Sequence, residues 1–137
     1  NSFKQELLGG VHDLDTDTIK IALIKNSQSG TYNASTANYS TVTGNSDEAT
    51  GTNYVTGGNT LGSATIALSG STATVDFADT TWSSATVSAD GCIIYNSSQA
   101  NKAIAVISFG GTKTSTNGDF VVQFPTADAS NAIIRIA

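Results

Sequence analysis

Trp82–Gly111 reads WSSATVSADGCIIYNSSQANKAIAVISFGG and contains the two most apolar short runs of the chain, with a polar joint between them. Gly91-Cys92-Ile93-Ile94-Tyr95 and Ala103-Ile104-Ala105-Val106-Ile107-Ser108-Phe109 are each of strand length and rich in β-branched or aromatic residues. Asn96-Ser97-Ser98-Gln99-Ala100-Asn101 supplies turn chemistry between them. Neither run alternates cleanly between apolar and polar residues. That pattern belongs to strands covered on both faces, so the sequence predicts a central β-hairpin in the middle of a sheet.

Composition sets the frame around this hairpin. The 137 residues are one domain's worth, enough to remove about 70% of the unfolded surface from water. Charged residues make up 12% of the chain, about half the usual share. Gly, Ser, Thr, Asn and Ala fill the difference, which predicts a single β-domain over 1–137 with long polar loops. Six basic residues stand against eleven acidic ones, and Lys4, Lys20, Lys25, Lys102, Lys113 and Arg135 are scattered. Nucleic-acid binding is not expected, because neutralising phosphates needs a clustered basic face. No apolar run approaches the length of a membrane span, and no membrane partner is expected of a soluble mature protein. A cleaved leader or a removed initiator Met stays open, since the chain begins at Asn1 and has no Met.

Around the hairpin, Ser2–Gly10 predicts one short helix within residues 1–10. Ser2 is its candidate N-cap, Phe3, Leu7 and Leu8 share a face, and Gly9 or Gly10 ends it in the left-handed conformation. So short a helix must dock its apolar face. Thr18–Lys25 follows as a strand with Ile19, Ile21 and Leu23 on one face. Residues 26–58 are almost entirely Ser, Thr, Asn, Gly and Ala, broken by Tyr32, Tyr39, Val42, Tyr54 and Val55. This long polar excursion predicts a partly ordered segment pinned by its tyrosines, with a helical turn near Ser35–Ser40 and a short strand near Asn53–Thr56. Leu61–Leu68 and Thr72–Phe77 form the clearest local hairpin, one face core and one wet. Gly110–Gly118 reads as a polar turn, Asp119–Phe124 as a strand stopped by Pro125, and Ala132–Ile136 as a last strand. The whole predicts a mainly β protein, an antiparallel β-sandwich or jelly-roll-like barrel with a short N-terminal helix.

No residue pattern amounts to a chemical signature. His12 is the only histidine, and no Gly-x-Ser-x-Gly elbow accompanies it. One His and one Cys on distant segments do not make a zinc set. Cys92, in an apolar strand, reads as a small buried hydrophobe. Asp13, Asp15 and Asp17 alternate like the opening of a calcium loop, but Thr18 and Ile24 stand where such a loop needs Gly and Glu. They read as turn-forming aspartates facing water, and Asp47-Glu48 reads as a solvated loop tip. Neither a cofactor nor a catalytic residue is expected. The tyrosines and Trp82 are a conceivable stacking platform for sugars, although so aromatic-poor a chain needs most of them for packing.

Three passages carry a resemblance: Asn1–Lys4 continuing through Gly10–Leu23, Trp82-Ser83-Ser84-Ala85-Thr86, and Val122-Gln123-Phe124-Pro125 with Ala127–Arg135. In these the chain resembles small virion structural proteins of tailed bacteriophages, of the kind that decorate or cement the capsid. The resemblance spans nearly the whole length, is densest at both ends and is thinnest over 26–58. It implies a non-enzymatic β-domain on the outer head surface that binds the major capsid protein lattice, commonly as a homo-oligomer. The lattice-facing contacts are expected on the N-terminal helix, through Phe3, Leu7 and Leu8, and on the excursion, through Tyr32, Tyr39 and Tyr54. The alternative is a tail-fibre or baseplate module that binds host-surface carbohydrate.

Overall fold

The computed structural model describes residues 1–62 and 64–137. Its elements in chain order are α1 (Ser2–Leu8), β1 (Ile19–Lys25), α2 (Ser40–Gly44), β2 (Asn59–Thr60), β3 (Thr65–Ser69), β4 (Thr72–Asp76), β5 (Thr80–Asn96), β6 (Lys102–Val122) and β7 (Ile134–Ile136). The strands pair antiparallel in a four-stranded sheet, β2-β1-β5-β6, and a three-stranded sheet, β3-β4-β7. Val75, Phe77 and Ile134 from the second sheet pack with Ile21, Leu23, Trp82, Cys92, Ile94 and Phe120 from the first, forming the apolar layer of a β-sandwich.

The predicted central hairpin is present, with its turn over Ser97–Asn101. Its first run is covered on both faces. Cys92 and Ile94 enter the main core beside Ile21 and Leu23, while Ile93 and Tyr95 enter a second cluster with Ala22, Ile24, Tyr39, Val42 and Ala103. This is why Gly91–Tyr95 lacks alternation. The second run is not in the middle of the sheet: β6 is an edge strand, and Ala105, Val106 and Ile107 are only half-buried.

The ribbon is also much longer than predicted. Gly110–Gly118 is not a turn but part of β6, which runs unbroken from Lys102 to Val122. Gly91 pairs with Ser108 and Ala89 with Lys113, so Phe109–Thr112 bulges opposite Asp90 alone. Gly110 and Gly111 take φ of +71° and +143° there, which glycine adopts without strain. The Gly-Gly pair marks this bulge, and Lys113, Thr114 and Ser115 after it resume the ladder against Ala89, Ser88 and Val87.

Three other expectations change. Ser2 lies inside α1, which begins after Asn1 without a side-chain cap bond. Gly10, at φ +70°, closes the helix: its N–H donates to the Leu7 carbonyl and that of Val11 to Glu6. The β3–β4 hairpin forms, but β3 is the edge strand of its sheet, with Ile66 and Leu68 exposed at 57% and 76% while Val75 and Phe77 are buried. In the excursion the helical turn is α2, at Ser40–Gly44 rather than Ser35–Ser40. The expected strand at 53–56 is replaced by a single bridge from Thr52 to Thr86 and by β2 at Asn59–Thr60.

Candidate functional site

The excursion is ordered by the two carboxylates that the sequence suggests are solvated. Asp47 and Glu48 are both buried. Asp47 accepts from the backbone N–H groups of Ser29 (2.9 Å) and Gly30 (2.7 Å) and the Tyr32 hydroxyl (2.6 Å), with Lys25 Nζ at 3.1 Å. Burial opposes its ionisation, but the donors from Tyr32, Ser29, Gly30 and Lys25 win and hold the carboxyl below the usual carboxylate range. Glu48 accepts from the hydroxyls of Tyr54 (2.8 Å) and Tyr39 and from Gly57 N–H (2.6 Å). The Tyr54 oxygen in turn accepts from Leu23 N–H at 2.9 Å, and the Tyr39 ring stacks on Tyr95 at 4.4 Å. Burial first, and the Glu48 carboxylate second, push the Tyr54 and Tyr39 hydroxyls well above the ordinary range. The signal for this in the sequence is that Asp47 and Glu48 are the only charges in residues 26–58, in company with three tyrosines.

A second polar knot ties α1 to the hairpin turn. His12 is buried, with Nε2 3.1 Å from Glu6 Oε2 and Nδ1 3.1 Å from Asn96 Nδ2, and its ring lies 5.1 Å from that of Phe3. The Asn96 amide can only donate to Nδ1, so Nε2 carries the proton and donates to Glu6. Lys102 donates to the other Glu6 oxygen at 2.6 Å, which is the chief reason the Glu6 carboxyl is lowered. Asn96 also donates to Asp17 at 2.6 Å, lowering that carboxyl, and its carbonyl oxygen accepts from Ser98 and Gln99 N–H. Both nitrogens of His12 are thus engaged within the chain.

Asp13 Oδ1 accepts from the Asp15 and Thr16 N–H groups, and Asp17 caps Asp13 N–H at 3.0 Å. The aspartates form a turn, and among the described residues no three His, Cys, Asp or Glu side chains converge as metal ligands. Cys92 is fully buried, and burial pushes its thiol up to about 12.

Of the six expected contact residues, Phe3, Tyr39 and Tyr54 close the protein's own core, and Leu7 and Tyr32 are half-buried against it. Leu8 alone stands free, at 89% exposure. The structure does not gather the six onto one surface. Among the described residues the aromatic side chains are buried except Tyr32, Phe109 and Phe124, which are half-buried.

Open hollows with apolar floors lie elsewhere on the chain. A cleft of about 770 Å³ lies beside β6, lined by Ala105, Ile107, Phe109, Phe120, Phe124 and Ile133. Ser115 borders it with a buried hydroxyl that has no hydrogen-bond partner. A smaller hollow of about 300 Å³, with Ile24, Tyr32, Val106 and Ser108 on its walls, lies on the opposite face of the same strand. Comparison with family models, curated proteins and solved structures finds no match for the chain.

Proposed function

We propose that the protein is a non-enzymatic structural protein of a tailed-phage virion, one that decorates the head by binding major capsid protein subunits on its outer surface. The observation that carries this reading is the distribution of its polar groups. The buried ionisable side chains Asp47, Glu48 and His12 are engaged by partners within the chain and serve to hold loops and helix in place. The surface left for recognition includes apolar patches: the floor of the β6 cleft, built from Ala105, Ile107, Phe109, Phe120, Phe124 and Ile133 with Lys113 and Asp119 also on its lining, and Ile66, Leu68 and Ile136 on the second sheet. Such surfaces suit a repeated contact with a fixed lattice, and the sequence resemblance at both chain ends supports the same reading. Binding the assembled shell but not its dissociated subunits stabilises the shell by mass action.

This reading places the lattice contact on Leu8 and the open apolar surfaces rather than on Phe3, Tyr39 and Tyr54. The carbohydrate alternative loses support from the burial of Trp82, Tyr39 and Tyr54, three of the rings on which a sugar was to stack. The test is sedimentation of the purified protein with mature, undecorated capsids, followed by heating of the particles. Saturable co-sedimentation with a raised disruption temperature is expected. Protein that stays in the supernatant up to about 100 µM, weaker than any useful lattice affinity, overturns the proposal.

A further inference from the structure

Strand β6 folds back on itself around the larger cleft. The Phe109 and Phe120 rings lie 6.1 Å apart, although the eleven residues from one to the other would span about 36 Å of straight strand. The ladder is broken within that interval at Phe109–Thr112 and again between Ser115 and Gly118, and such irregularities bend the strand that carries them. The cleft of about 770 Å³ held by this bend is of the size that encloses a small molecule.

Two polar side chains on its wall share one face of the strand. Lys113 and Ser115 pair with Ala89 and Val87, both in the main core, so they rise on the core-side face, as Ala105 and Ile107 do opposite Ile94 and Cys92. Ser115 is only 9% exposed, and its hydroxyl has no hydrogen-bond partner. The ion pairs among the described residues use His12, Lys25 and Lys102, and Lys113 is in none of them. Asp119, the other charge on the lining, accepts from the Ser84 N–H at 3.0 Å. An unmatched cation and an unsatisfied hydroxyl thus stand about 7 Å apart along the strand, beside the apolar floor of Ile107, Phe109, Phe120, Phe124 and Ile133.

We propose that this cleft binds a single-chain fatty acid, its carboxylate at Lys113 and Ser115 and its chain on the apolar floor. The head group follows from the donors. Lys113 Nζ offers a positive charge and the Ser115 hydroxyl a proton, and a carboxylate has an acceptor oxygen for each. A neutral head leaves the cation unmatched, and a cationic head meets Lys113 as a like charge. The tail follows from the floor, where Ser115 has the only buried polar side-chain atom without a partner among the described residues. An unbranched chain also follows the bend of β6. The proposal does not rest on capsid binding: a bound chain covers the cleft floor and leaves Leu8, Ile66, Leu68 and Ile136 open to a lattice.

The experiment is isothermal titration calorimetry of the intact chain with decanoate, and with decanol, below its solubility limit, as the neutral probe of equal length. One decanoate per chain is expected, with Kd below about 100 µM and a negative heat-capacity change from burial of the tail. Lys113→Ala weakens decanoate about tenfold and leaves decanol unchanged. Ser115→Ala weakens decanoate about fivefold without lowering the melting temperature of the free chain, because the hydroxyl it deletes is buried and unpaired there. A serine that only supports the fold lowers that temperature and leaves the affinity alone, which counts against the proposal. Absence of saturable binding up to about 1 mM overturns it, as does uptake of several decanoates per chain, or a Lys113→Ala chain that binds decanoate as well as the parent does. The titrations contain no capsids, so their failure and the failure of co-sedimentation are scored separately.

Discussion

The excursion over residues 26–58 and the β5–β6 ribbon are both ordered, but by opposite means. The ribbon is held by apolar burial on either side of Ile93 and Ile94, residues with no accessible surface. The excursion has few apolar residues and is held by two buried carboxylates, each collecting hydroxyl and backbone donors from several turns of chain. A polar segment does not need a hydrophobic stripe to be fixed in place. It needs an acceptor of high capacity and donors close enough in sequence to reach it.

The two mechanisms respond differently to perturbation. Asp47→Ala has the largest effect: it strands the Ser29 and Gly30 N–H groups and the Tyr32 hydroxyl, and costs about 1–3 kcal/mol for each donor left without a partner, read by urea unfolding. Hydrogen exchange in this variant shows protection lost first over residues 26–58 and retained in the ribbon. Equal loss in both regions would break the distinction drawn between them.

Acid acts on the excursion through Asp47 and on the knot at the hairpin turn through Glu6 and Asp17. The Asp47 carboxyl is lowered despite its burial, and hydrogen bonding from Lys102 and from Asn96 lowers Glu6 and Asp17 respectively. Because the unfolded chain takes up protons first, this stability is complete above about pH 5 and is lost progressively as pH falls through and below the range where model carboxylates titrate. The buried tyrosines give the mirror image, with stability declining above about pH 10 as the unfolded phenols ionise and those of Tyr39 and Tyr54 are held protonated by burial and by Glu48. Unfolding midpoints followed across the pH range, with the excursion and the ribbon reported separately, check both signs.

Ile94→Val has a smaller effect, about 0.5–1.5 kcal/mol from the deleted methylene, and the loss is the same at pH 5 as at pH 8. Leu8→Ser comes last. At 89% exposure it changes stability by less than about 0.5 kcal/mol, so any loss of capsid co-sedimentation in that variant reads a contact rather than the fold.

What the sequence made legible follows the same division. The Gly91–Tyr95 run could be read because burial on both faces leaves a continuous apolar signature, and the Ser97–Asn101 turn because Asn and Ser suit it. The edge position of β6 could not be read, since Ala103–Phe109 has the same composition and only the order of strands separates the two cases. The bulge was hidden behind a Gly-Gly pair that is equally good turn chemistry. Asp47 and Glu48 escaped for a different reason: acidic neighbours in a polar stretch are normally solvated, and only the tertiary approach of Tyr32, Tyr39 and Tyr54 makes them interior. The helix candidates Phe3, Leu7 and Leu8 came from amphipathic spacing, which does not tell a face that docks on its own domain, as Phe3 does, from one left open, as at Leu8.

Cys92 also gives the molecule a built-in clock. It sits in β5 between its partners Leu23 of β1 and Ile107 of β6, with no accessible surface and a thiol pushed up to about 12, so no alkylating reagent reaches a thiolate while the β1–β5 pairing stands. The rate at which a single sulfur is trapped therefore counts openings of the innermost sheet, one molecule at a time, and distinguishes loosening of the excursion, which leaves the count unchanged, from the rarer event in which the whole sandwich comes apart.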